Sequence, residues 1–280
     1  MTYNMDGIGM GARSIYEHLK NTKYQMSLNK IRRLEKKYNL ICPIRLRKFY
    51  HECKTATGEI HKYFDNKVAR LFKQGARKVL LTDISYIQFG NGKTAYLSAI
   101  KDAETNEILA YRLSQDFSTS FVNSTVNDLI DNHGNELKTE STYLHSDQGS
   151  HYTSIKYCDL LKDAKLVQSM SRRGNCWDNA PMESFFGVLK SEIGHHFKNI
   201  NHFSKLEKLF EAYMEYYNHR RIQLSLAGLS PSDYYKYITT RIYPTKKVLN
   251  INIKELYKSN HFDINIEMNS SYMSLVSLQV

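Results

Sequence analysis

Three β-rich runs joined by very short turns constrain the fold of this chain more than any other feature. KVLLTDISYIQF (78–89), KTAYLSAIKDA (93–103) and ILAYRLSQDF (108–117) are separated only by GNG and ETNE. Links this short predict an antiparallel three-stranded meander. The pattern then alternates. FVNSTVNDLIDNHG (121–134) predicts an amphipathic helix with Phe121, Val122, Val126, Leu129 and Ile130 turned inward and Gly134 at its stop. STYLHSD (141–147) predicts a fourth strand, IKYCDLLKDAK (155–165) a helix, and LVQSMS (166–171) a fifth strand. After the loop RRGNCWDNAP, Pro181 stands in the first turn of a helix running through MESFFGVLKSEIG, and SKLEKLFEAYMEYYNHRR (204–221) follows as another. The order βββαβαβαα predicts an α/β fold, a mixed five-stranded sheet flanked by helices.

The region ahead of the sheet has a different character. Residues 1–79 hold 18 basic and 6 acidic residues, whereas residues 80–280 hold 21 and 22, so the whole excess of +11 belongs to the first quarter. Within it, ARSIYEHLK (12–20) and SLNKIRRLEKKYNL (27–40) predict two short helices, the second capped by Ser27. Arg32, Arg33, Lys36 and Lys37 fall between the apolar Ile31, Leu34 and Tyr38 and face outward. That arrangement suits a helix-turn-helix reader whose cations reach phosphates; it also suits a plain solvated face. FDNKVARLFKQG (64–75) predicts a further short basic helix in the linker. The expected organisation is a helix-turn-helix-like module over 1–50, a basic linker over 51–77, the α/β core over 78–240 and a tail over 241–280.

Other classes fall away. No apolar run approaches the ~20 residues that span a bilayer, so no membrane partner is expected. The start lacks a basic and then apolar leader. Cys42, Cys53, Cys158 and Cys176 form no C-x-x-C pair, which fits a reducing cytosol and a structural role.

Three acids sit oddly for their surroundings. Asp83 interrupts an apolar strand, Asp147 ends the strand YLHSD, and Glu183 lies in the first turn of the helix after RRGNCWDNAP. A carboxylate within a buried strand is costly unless its charge is offset, and a divalent cation does this well. The alternative is that Asp83 faces solvent from an open sheet face. Glu183 and Lys190 are two helical turns apart with Gly187 between them, on a line at the edge of the apolar stripe Met182, Phe186, Leu189 and Ile193. A metal and a DNA strand could both approach that line. His145 and His151 flank Asp147 and are read as loop-orienting groups, with no chemical role assigned to them.

LLTDISYI, LHSDQGSHYTS and SMSRRGNCWDNAPMESFFGVLKSEI closely resemble the catalytic core of DDE-type insertion-sequence transposases of the retroviral integrase superfamily. The resemblance is nearest to the bacterial group encoded in two overlapping frames. Thirty-five residues lie between Asp147 and Glu183, as in that group, and YNHRRIQLSLAGLSPSDYY (217–235) resembles its C-terminal motif. The resemblance implies an RNase H-like fold, with Asp83, Asp147 and Glu183 as catalytic metal ligands for two Mg²⁺ (or Mn²⁺) ions. It implies that Lys190 contacts DNA near the terminal nucleotides and that 11–47 forms the helix-turn-helix-like module. Trp177 and Asn179 match positions that shape the loop over the site; packing is the expected role of Trp177, with stacking as the alternative.

The implied activity is 3′-end nicking and strand transfer at the ends of a mobile element, in the bacterial cytosol. The implied partners are double-stranded DNA, further copies of this chain in a synaptic complex, and a first-frame protein, since this chain starts close to the second-frame module. A catalytically inactive or truncated DNA-binding relic is the alternative. A tyrosine recombinase is disfavoured because His219 is followed three residues on by Ile222 rather than arginine. An RNase H-type nuclease acting on hybrids is disfavoured by Lys190 and the basic first quarter.

Overall fold

A computed structural model of the chain describes residues 12–20, 22–38, 62–137, 140–172 and 174–244. The helix α1 (Ala12–Leu19) is followed by α2 (Leu28–Lys37), whose first turn is closed by the Ser27 hydroxyl accepting from the Lys30 amide. Ile31 is buried, while Arg32, Arg33, Lys36 and Lys37 are exposed, as the helical spacing predicts. The remainder of the expected 1–50 module, Cys42, Cys53 and the tail beyond Pro244 lie outside the described residues.

The meander forms as β1 (Val79–Phe89), β2 (Lys93–Asp102) and β3 (Ile108–Ser114). Gly90 makes the first turn possible. Its φ is +51°, and a Cβ there would lie 2.8 Å from the Ile200 carbonyl oxygen. Then come α3 (Thr119–His133), β4 (Tyr143–Ser146), the one-turn α4 (Ser150–Thr153), α5 (Ile155–Asp163), β5 (Val167–Met170), α6 (Ala180–Phe197) and α7 (Phe203–His219). The sheet order is β3-β2-β1-β4-β5; β1, β2 and β3 are antiparallel, and β4 and β5 run parallel to β1.

Side chains alternate across the sheet with period two, and each face has its own helical cover. Val79, Leu81, Ile87 and Phe89 pack on the α6–α7 side against Met182, Phe185, Leu189, Phe210 and Tyr213. Leu80, Ile100 and Leu144 pack on the other side against Val122, Val126, Leu129, Tyr157 and Leu161. This is the mixed α/β sandwich of the RNase H-like class.

Two segments differ from the sequence expectation. Residues 64–75 form no helix. Ala69 and Arg70 take φ of +48° and +64°, the Asn66 side chain accepts from the Ala69 amide, and Ser169 Oγ accepts from the Lys67 amide. Pinning this strap along the edge strand β5 satisfies its backbone and covers an otherwise open edge, which a short free helix would not do. The final helix, α8 (Pro231–Thr240), was not anticipated, although Ser230 accepts from the Asp233 amide and Pro231 opens its first turn.

Candidate active site

The register of the parallel pair brings the first two acids together. The last paired positions of β1 and β4 are Leu81 and His145, and two residues further along each strand stand Asp83 and Asp147. Because β4 stops at Ser146, the chain leaves the sheet there and Asp147 opens to solvent beside the continuing β1. Each carboxylate is turned by a backbone amide: Asp83 accepts from Ile84 and Asp147 from Gly149, both at 2.8 Å. A Cβ at Gly149 would stand 2.9 Å from Asp147 Oδ1, so a larger residue there would push the carboxylate from this position. Glu183 is exposed in the first turn of α6, and Lys190 is exposed two turns on.

Electrostatics tie the four residues into one site. Burial raises the Asp83 carboxyl well above the usual carboxylate range; the charges of Asp147 and Glu183 push it further, while the Ile84 amide and Lys190 oppose them. Burial raises Asp147 too, against the Gly149 amide and His151, and raises Glu183. Among the described residues, no three His, Cys, Asp or Glu side chains close tightly enough to chelate a single ion. The arrangement is an open cluster of under-compensated oxygens. Hard divalent cations take such ligands while keeping positions for phosphate oxygens, so the donor set fits them.

Among the supporting residues, His145, His151 and Asn179 are marked by the sequence, whereas Lys101 and Asp178 are not. His145 is fully buried, its two ring nitrogens 3.0 and 3.1 Å from the hydroxyls of Ser169 and Ser171. Burial lowers its pKa to about 4 against the pull of Asp178, so it is neutral and structural. The His151 ring packs against Phe117, their centroids 4.1 Å apart and their planes tilted by 60°. Asn179 donates to the Thr82 carbonyl, next to Asp83, at 3.2 Å. The ammonium of buried Lys101 donates to the Pro181 carbonyl at 3.1 Å, holding the start of α6; burial lowers its pKa to about 7.

Asp178 is the largest omission. Its buried carboxylate accepts from Arg70 Nε (2.6 Å), Asn66 Nδ2 (2.9 Å), and the Arg172 amide, Nε and Nη2 (3.1, 3.0 and 3.0 Å). Those bonds, Arg172 foremost, hold it below the usual carboxylate range despite burial. In the sequence it is one acid among 28, and Arg70 lies 108 residues away. Next to it, Trp177 is 64% exposed, so the expected packing role does not hold.

The 217–235 motif is structural. Arg221 forks onto buried Glu192 of α6 at 2.8 and 2.9 Å, Tyr213 donates to the same carboxylate, and Asn218 bonds both the amide and the carbonyl of Ile108. It clamps α6 and α7 to the sheet.

The integrase core domain family matches residues 74–176, and a second integrase core domain family matches residues 183–237. An uncharacterized transposase-like protein of Haemophilus influenzae is 39% identical over 189 residues, covering 65% of this chain and 85% of that protein. The putative transposase InsK for insertion sequence element IS150 of Escherichia coli is 34% identical over 229 residues, covering 80% of this chain and 76% of that protein. The chain belongs to the insertion-sequence transposases. Its fold also matches a chain of the simian T-cell lymphotropic virus intasome, with a TM-score of 0.52 at 12% identity over 85% of this chain and 78% of that one. As a family member it carries an integrase-type core, and no described helix is long and apolar enough to cross a membrane.

Proposed function

We propose that this transposase nicks the 3′ ends of its element and transfers them to target DNA in the bacterial cytosol, through a site formed by Asp83, Asp147 and Glu183. The observation that carries the reading is the parallel register that sets Asp83 beside Asp147, where the repulsion between the acids is only partly offset by Lys190. The three carboxylates would hold two Mg²⁺ (or Mn²⁺) ions per site. When bound, such a pair supplies Lewis acidity at the scissile phosphate and makes water or a DNA 3′-hydroxyl a competent nucleophile.

The chain's own residues do the rest. Asp83 is fixed by β1 and the Ile84 amide, and Asp147 by its Gly149 bond. Glu183 is carried by a helix start held through Lys101 and Asn179. Lys190, on the line of Glu183, holds the phosphates of the strand near its terminal nucleotide. Arg32, Arg33, Lys36 and Lys37 on α2 hold duplex phosphates. Double-stranded element ends and target DNA are the substrates. Further copies of this chain and a first-frame protein complete the synaptic complex.

A Mg²⁺-dependent nicking assay on element-end DNA tests the reading. Glu183→Gln should lower strand cleavage by roughly a thousandfold or more while end binding stays within about twofold. Binding without metal-dependent cleavage in the unaltered protein would identify an inactive relic instead.

A further inference from the structure

Trp177 is the single tryptophan of the chain, and 64% of it is open to solvent. Large exposed aromatics are ordinary on mobile loops, but this turn is held on both sides. Asp178 directly after it is buried with five donors on its carboxylate. Asn179, also buried, donates to Thr82, the neighbour of Asp83 in β1. The residues Cys176–Asn179 form a 3₁₀ turn running straight into α6, which carries Glu183 four residues later. The fold therefore holds the indole on a fixed turn between the Thr82 contact and the start of α6 while leaving most of it open to solvent.

The surroundings narrow the partner. Arg70 and Arg172, which grip Asp178, keep 44% and 59% of their side chains exposed, so the rim of this turn is cationic. A flat aromatic face with guanidinium groups alongside suits a nucleobase whose own phosphates the arginines can meet. A base within a duplex offers no free face. The fitting ligand is an unpaired base.

Resting on the reading of the three acids as the strand-cleaving site, we infer that Trp177 stacks on an unpaired nucleobase of the DNA strand that enters it. Asp178 and Arg70 are positioning residues that fix the indole. Stacking on the turn would hold the terminus open and set the register of the scissile phosphate against Asp83 and Glu183, independently of the base sequence.

A single tryptophan makes the test direct. The full-length protein is titrated with a short duplex carrying a few unpaired nucleotides at one 3′ end, and with the matching blunt duplex, under selective indole excitation. Anisotropy of labelled DNA reports binding separately. The indole emission should be strongly quenched by the unpaired-end duplex and little by the blunt one. Trp177→Ala should bind the unpaired-end duplex roughly tenfold more weakly with the blunt affinity unchanged, and Trp177→Phe should restore most of the difference. Asp178→Asn should retain binding but lose discrimination between the two duplexes. Unchanged emission at saturating unpaired-end DNA, or equal discrimination by Trp177→Ala, overturns the inference. The nicking assay keeps the two ideas apart. Metal-dependent cleavage without any indole response leaves the active site standing and removes the base contact. Quenching in a protein that never nicks leaves the base contact and removes the chemistry.

Discussion

Two groups of acids around one sheet are treated in opposite ways. Arg77, 3% exposed, is held by Asp102 at 3.0 Å and by Glu107 and Glu136 at 2.8 Å, with the Tyr235 ring 4.0 Å from its guanidinium carbon. Burial disfavours the Arg77 charge, yet the three carboxylates outweigh it and raise its pKa. Burial also acts on Glu136, and there Arg77 and His133 prevail and lower the carboxyl. Around Asp83 the neighbours are Asp147 and Glu183, and Lys190 only partly offsets them. The first group closes the fold, since its three carboxylates converge on one buried guanidinium. The second is left in deficit, which is what the proposed cation site requires.

The sharpest way to test that division is to remove one member from each group. Arg77→Ala strands Asp102 and Glu107 without their cation and should destabilise the protein by about 3–5 kcal/mol, read from denaturant unfolding. Asp83→Asn should do the reverse. Relief of repulsion should stabilise the metal-free protein by roughly 1–2 kcal/mol while strand cleavage is lost. A destabilised Asp83→Asn protein would show that the acids are not in deficit at all.

The pH dependence separates the groups without mutation. The raised Asp83 pKa means that the folded chain keeps a proton the unfolded chain has released. Its contribution is therefore complete below the ordinary carboxylate range and is lost as pH rises through the raised value. In chelator, melting temperature should fall from about pH 5 to about pH 8, and Mg²⁺ should recover most of it at the upper end. Asp178, lowered by its arginines, has the opposite sign, and its contribution is lost only as pH falls into the carboxylate range. A melting temperature insensitive to Mg²⁺ across that window would break the contrast.

The smallest effects concern the basic module. Arg33→Gln should lower the slope of log affinity against log salt by about 1, with cleavage chemistry unaltered once DNA is bound. Ser27→Ala should weaken α2 by about 1 kcal/mol, seen in its amide exchange and absent from that of the sheet.

How much was legible in the sequence follows the range of the interactions. The five strands and most helices of the core were readable because local pattern specifies them: a β-rich run for β1, helical spacing for α6, Pro181 at its start. The three acids stood out because each is out of place locally. Asp178 did not, since its meaning depends on Arg70 and Asn66 across more than a hundred residues. The 64–75 segment has helical spacing, but its contacts with β5 and the Asp178 carboxylate outweighed a propensity that amounts to little in so short a piece.

By itself, then, the sequence determined the order of elements, the two-sided core, the family and the acids worth testing, all of which rest on short-range periodicity or contiguous motifs. Only the tertiary structure decided that β1 and β4 pair in the register that sets Asp83 beside Asp147. It alone decided that Arg77 closes one acid cluster while the other stays open, and that Trp177 is displayed rather than packed. Those outcomes depend on which charges and faces meet across the sheet, and no local pattern carries that information.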